Sequence, residues 1–359
     1  LAKGSASSRA QAAGATNFAD EAGGSATASL GGLISVEVSG GIEAEAGGVW
    51  NSSRFGDASI GLLGTSVVKV DASSDFFAIA TGLRNVTESG TARLAVEAGA
   101  DIDVSADGAS YADVAGIENL SVGTGAALSS LAGTVSVYAE SDSGDAEATG
   151  LTTETEGTGN AETGVMSTAS VTVMATAVDG FAGAIGVGSQ AYGSGNAYAV
   201  SEAGSYIEAT ATGGSESATA IGIGALSEGG NATVVTASDI VVEGSSTGDL
   251  NVVGAIAQVN NGGMASLTMN GGSISASASG AAIGLGTFTL GSGATYTVNA
   301  LGGSVSADIG IKAESEAGQT GTVIIGSGAA ITASGGHDGM ALVDLDGAVT
   351  VTTTGTVVG

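Results

Sequence analysis

The sequence predicts an all-β chain wound as a right-handed parallel β-helix (a β-solenoid) of about ten coils, with three short strands per coil and a taper toward the C-terminus. Three observations predict it. A short apolar element returns along the chain at intervals averaging about 33 residues. Two further runs of alternating apolar and polar residues fill each interval. Glycine supplies 64 of the 359 residues, while proline is absent.

Taken in order, residues 1–28 are rich in Ala, Ser and Gly and fall outside the repeat, so they are expected to form a non-repeat N-terminal arm or cap. Residues 29–359 are expected to form one solenoid domain. The recurring element first stands out as Ala78-Ile79-Ala80, then Asp113-Val114-Ala115 and Gly150-Leu151. It is clearest in Ala184-Ile185-Gly186-Val187-Gly188 and Ala220-Ile221-Gly222-Ile223-Gly224, and it returns at Ala255-Ile256-Ala257, Ala282-Ile283-Gly284-Leu285, Gly310-Ile311 and Ala341-Leu342-Val343. Between these lie pairs of short alternating runs, such as Ala232-Thr233-Val234-Val235 with Asp239-Ile240-Val241-Val242. Runs of this length, bounded by Gly-Gly, Asn-Gly or Ser-Gly, read as strands joined by tight turns. The intervals shorten after residue 256, which predicts the taper.

Stacked coils explain the composition. Each strand bonds to its equivalents about 4.8 Å above and below, so inward residues must stack on like residues. Ile, Val and Leu suit such columns, and Ala fills a narrow interior. Gly and Asn turn corners at little steric cost. Proline would delete a ladder donor on every internal strand. Helices are disfavoured by glycine every few residues. A β-sandwich accounts less well for the period, and a transmembrane barrel lacks its aromatic girdles.

Composition also removes function classes. With 36 acidic and 7 basic residues the formal charge is −29, so no basic face can neutralise phosphates and nucleic acid is excluded as a partner. Absent cysteine excludes disulfides, thiolate metal sites and thiol nucleophiles. Membrane insertion is not expected, since no apolar stretch is long enough for a spanning helix. Charge is polarised: residues 1–94 hold six of the seven cations and nine acids, while residues 95–359 hold 27 acids and only Lys312. Leu1 with no leader before it points to a processed, secreted chain, extracellular or on the cell surface.

Candidate chemistry is sparse, and the expectation is no catalytic, cofactor-binding or metal-binding residue. His337, the only histidine, sits in Ser334-Gly335-Gly336-His337-Asp338-Gly339 and reads as a solvated turn residue. Acid pairs are frequent: Asp101/Asp103, Asp142/Asp145, Glu154/Glu156, Glu314/Glu316 and Asp344/Asp346, and spacing i, i+2 on a strand puts two on one face. A glycosidase needs two carboxyls across a sugar-binding groove. The scarcity of aromatics makes solvated outer-face acids the preferred reading. Ca²⁺ held between corner acids of stacked coils is the one metal role left open; solubilising charge is preferred, since no calcium-binding repeat motif occurs. The Thr-rich run Thr350–Thr354 resembles the arrays of ice-binding solenoids, but Thr columns are not expected to persist over successive coils. Four sequons, at Asn51, Asn85, Asn119 and Asn231, are expected by chance in a chain so rich in Ser and Thr.

The Ala-Ile-Gly-Val-Gly repeats, Gly/Ser/Asn corners, acidic faces and missing Cys together resemble secreted bacterial β-helix surface proteins: autotransporter passengers, filamentous-haemagglutinin-like adhesins and related β-strand-repeat proteins. The likeness is compositional and covers about residues 30–359. It implies surface attachment, biofilm or fibre formation rather than catalysis. Two function classes follow. One is a non-catalytic structural subunit that homopolymerises head to tail through its terminal coils and N-terminal arm. The other is a monomeric adhesin stalk that binds cell-surface glycan or host protein through one lateral face. A polysaccharide-active enzyme is the least supported.

Overall fold

The computed structural model describes residues 1–21, 23–291, 293–315, 320–334, 338–344 and 348–359. It is an all-β parallel β-solenoid, and every strand pairing among the described residues is parallel. The first coil comprises β1 (Ala2–Ala6), β2 (Arg9–Ala19) and β3 (Ala26–Leu30), and the second comprises β4 (Leu33–Gly40), β5 (Glu43–Ser53) and β6 (Ala58–Leu62). β1 stacks on β4, β2 on β5 and β3 on β6, which defines three faces, here called I, II and III. The coil count departs slightly from the expected ten; among the described residues eleven strands are stacked on face II.

Two expectations need correcting. Residues 1–28 are not a non-repeat arm: they make most of the first coil, in register with the second from Ala2↔Val36 to Ala26↔Ala58. The repeat is hidden there because Ala15 occupies the position that the larger Val49 and Leu83 fill in the next two coils. The apolar element recurs as expected, but its register is more regular than the spacings suggest. The true column runs Val49, Leu83, Ile117, Leu151, Val187 and Ile223, whereas Ile79 and Val114 stand several positions upstream of it. Spacing is 34 residues through the early coils (Ala10↔Ala44↔Ala78↔Ala112). It widens to 36 at Ala146↔Ala182↔Ala218 and then falls to 26 at Ile283↔Ile309. The late contraction follows from a lost corner: strands Thr295–Ala307 and Thr320–Ala333 run through from face III to face I with only a register shift between Ala300 and Gly302.

Inside, one continuous apolar core fills the length of the chain. Face I alternates cleanly, burying Val68, Val70 and Ala72, then Ile102, Val104 and Ala106. Face III starts each inward set with alanine (Ala58, Ala92, Ala127, Ala161, Ala197), where the corner leaves little room. Face II breaks alternation. Ala112, Val114 and Gly116 point inward, but so does Ile117, so the inward phase flips at the glycine. That glycine recurs in every coil from Gly14 and Gly48 to Gly310 and Gly339. A Cβ on Gly116 would lie 2.5 Å from Val135 Cγ1 and 2.6 Å from the Gly150 carbonyl oxygen, so no side chain fits. The corner from face III to face I is a β-turn in which Ala100 N–H donates to the Glu97 carbonyl (3.2 Å) and Gly99 takes φ = 86°, a conformation that only glycine adopts cheaply.

Candidate functional site

Face II converts periodicity into side-chain ladders. Asn17, Asn51, Asn85 and Asn119 stack one coil apart on its inward side. The first three Nδ2 groups each donate to the next Oδ1, at 2.8 Å for Asn17 to Asn51, 2.7 Å for Asn51 to Asn85 and 2.8 Å for Asn85 to Asn119. Asn85 Nδ2 also donates to the Ala58 and Arg93 carbonyls at 3.1 Å, so a buried amide is satisfied on several sides. Three of the four sequons are therefore ladder residues with a structural cause rather than chance matches: Asn51, Asn85 and Asn119 are buried, as are Ser53, Thr87 and Ser121 two positions on. Asn231 differs; it is exposed at a corner, where its Oδ1 accepts from Met264 N–H.

The anticipated acid pairs do not converge on a reacting centre. Asp103 accepts from Lys69 Nζ at 3.3 Å, and Asp101 beside it is exposed. Asp145 Oδ1 accepts from Phe181 N–H at 3.0 Å, tying one corner to the next, while Asp142 is solvated. Glu154 is half-buried, and burial first, then Glu118 and Glu156, raises its pKa above the ordinary carboxyl value. Glu314 pairs with Lys312 at 3.0 Å. Glu316, His337, Asp346 and the side chain of Asp344 lie outside the described residues. A pair that i, i+2 spacing could not reveal is Asp113 over Glu147, stacked in register on adjacent coils. Burial, then Glu147 and Glu118, pushes the Asp113 carboxyl up to about 6. Among the described residues no group of three or more His, Cys, Asp or Glu is placed to hold a metal ion.

The cations are arranged to hold coils together. Lys3 pairs with Glu37, Arg9 with Glu43 (3.1 Å), Arg54 with both Asp20 (2.8 Å) and Glu88 (3.3 Å), and Arg84 with Glu118 (3.3 Å). Each of these pairs bridges neighbouring coils, as Lys69–Asp103 does. Arg93 is the one cation without an ion pair among the described residues.

Arg93 lies on face III, in a shallow groove of about 510 Å³ that crosses the coils. Two outward columns line it. Ser59, Arg93, Leu128, Glu162 and Tyr198 are stacked in register, and Gly61, Ala95, Ser130, Gly164 and Val200 form the second column beside them. Tyr198 is 39% exposed. The same face continues as Thr233, Ser266, Thr297, Thr322 and Thr350, so a hydroxyl column does persist over successive coils, contrary to expectation. Unequal coil lengths scatter these residues at intervals of 25 to 33 in the sequence, which hides the column from a fixed-period reading.

Comparison with protein-family models, with curated proteins and with solved structures finds no match for this chain.

Proposed function

We propose that the chain is a non-catalytic structural protein of an extracellular or cell-surface filament, whose copies stack coil on coil in a head-to-tail homopolymer. The observation that carries this reading is the nature of the coil-to-coil contact. The same parallel ladder and the same Ala and branched apolar columns recur from the first coil onward, so two coils of different copies can meet as two neighbours in one chain do. Contacts that join unlike surfaces do not close, and they propagate into fibres. Charge favours a polar order: six of seven cations fall in residues 1–94, and residues 95–359 are strongly anionic.

Negative-stain microscopy of the purified chain tests this, with and without chelator. Unbranched fibres that lengthen with concentration support it, whereas isolated rods at all concentrations overturn it. The groove on face III, with Tyr198 exposed in it, favours one second reading, a stalk that engages a cell-surface glycan laterally; it predicts isolated rods that bind oligosaccharide. Fibres that lose order on chelation would assign Ca²⁺ a part.

A further inference from the structure

We propose that face III is a self-pairing surface on which two copies of this chain dock side by side and antiparallel, about a two-fold axis along strand Ala127–Leu131. The proposal goes beyond end-to-end stacking and does not depend on it. It starts from charge. In a chain of net charge −29, Arg93 and Glu162 are the only charged residues among the outward positions of face III from Ala26–Leu30 through Ala232–Thr236. Faces I and II carry acids along their strands, whereas near face III they stand only at the flanking corners, as Asp57, Glu97 and Glu202 do, so the flat of face III repels a second copy least.

The two charges are also self-complementary. Arg93 and Glu162 lie one coil to either side of Leu128 in a single column. A two-fold axis along the Leu128 strand, in the plane between two copies, sets each Arg93 opposite the partner copy's glutamate at the same position as Glu162. Neither side chain has an ion-pair partner within its own chain among the described residues, so both are free to make that contact. Size matches as well. The operation places Tyr198 and Val200 of one copy opposite the residues equivalent to Ser59 and Gly61 in the other. A Cβ at Gly61 would meet nothing within 4 Å, so the space to receive them exists. Leu128 and Ser130 fall on the axis and meet their own equivalents. Large against small, positive against negative and apolar at the centre is the pattern of an isologous interface.

Seven coils share the contact, spanning about 30 Å along the rod at the inter-strand spacing. With strands five residues wide, roughly 500 Å² per copy is covered, which is at the low end for specific association. The pairing is therefore reversible and concentration-dependent.

Sedimentation velocity on the full chain, at concentrations below any fibre formation, tests it. The wild type is expected to shift from monomer to dimer. Arg93→Glu and Glu162→Arg, each alone, set like charges face to face and weaken pairing by roughly tenfold or more. Mixed in equal amounts, the two variants regain complementary charges and form a heterodimer. Unchanged circular dichroism melts for both variants show that the fold is retained, as expected for exposed, unpaired side chains. A wild type that stays monomeric to high concentration overturns the proposal, as does a mixture that fails to pair. A monomeric wild type that instead binds a neutral oligosaccharide overturns it in favour of a glycan site. In the microscope, Arg93→Glu fibres that persist as single rather than paired strands separate this inference from the end-to-end reading.

Discussion

Asn85 shows how a single side chain can belong to the repeat rather than to a site. Its amide bonds to Asn51 below, Asn119 above and two backbone carbonyls beside it. Asn85→Ala takes the donor from buried Asn119 Oδ1 and from the Ala58 and Arg93 carbonyls, so it should cost about 2 kcal/mol in urea unfolding. The same burial has a chemical consequence: in a glycosylating secretory host, intact-mass analysis of folded protein should find glycan at Asn231 but not at Asn51, Asn85 or Asn119. Glycines divide just as sharply. Gly116→Ala drives a methyl into Val135 and the Gly150 carbonyl and should cost about 3 kcal/mol by overpacking. Gly61→Ala enters open space on the outer face and should stay within about 0.5 kcal/mol of wild type.

Between coils, side chains of like sign can stack as readily as complementary ones, and Asp113 over Glu147 is the costly case. Its folded pKa of about 6 lies above the ordinary 3.8 because burial and its neighbours disfavour the charged form. The folded state therefore holds that proton more tightly than the unfolded chain does. The stability this confers is fully present below about pH 4 and is lost as pH rises through about 6. After allowance for solvent screening the difference is about 1–2 kcal/mol, so the thermal midpoint should be higher at pH 4.5 than at pH 7.5. Asp113→Asn should flatten that dependence; an unchanged pH profile in this variant would remove Asp113 as its cause.

Across the whole molecule, cations bridge neighbouring coils in the first part of the chain, while later coils are almost purely anionic. Self-repulsion should therefore weaken the later coils first, and raising NaCl from low to moderate ionic strength should raise the thermal midpoint by screening it. Hydrogen exchange should show coils beyond residue 95 gaining more protection from salt than the first coils, where screening also weakens ion pairs such as Arg54–Glu88. Equal gains along the rod would count against this.

The amino-acid sequence determined the winding, the three strands per coil and the shortening of later coils, because stacking like on like writes a period into the chain that composition and turn residues betray. Missing proline and abundant glycine were direct consequences of an all-parallel ladder with tight corners. What only the tertiary structure decided was register. The phase flip at the Gly14–Gly339 column breaks the alternation on which a sequence reading relies, and alanine-filled positions left the first coil unrecognised. The Asn ladder, the Asp113–Glu147 stack and the Arg93–Leu128–Glu162 column join residues 34 or 35 positions apart. Neighbours of that kind exist only once each coil has settled on the one beneath it, since a shift of a single residue turns every side chain to the opposite side of its sheet.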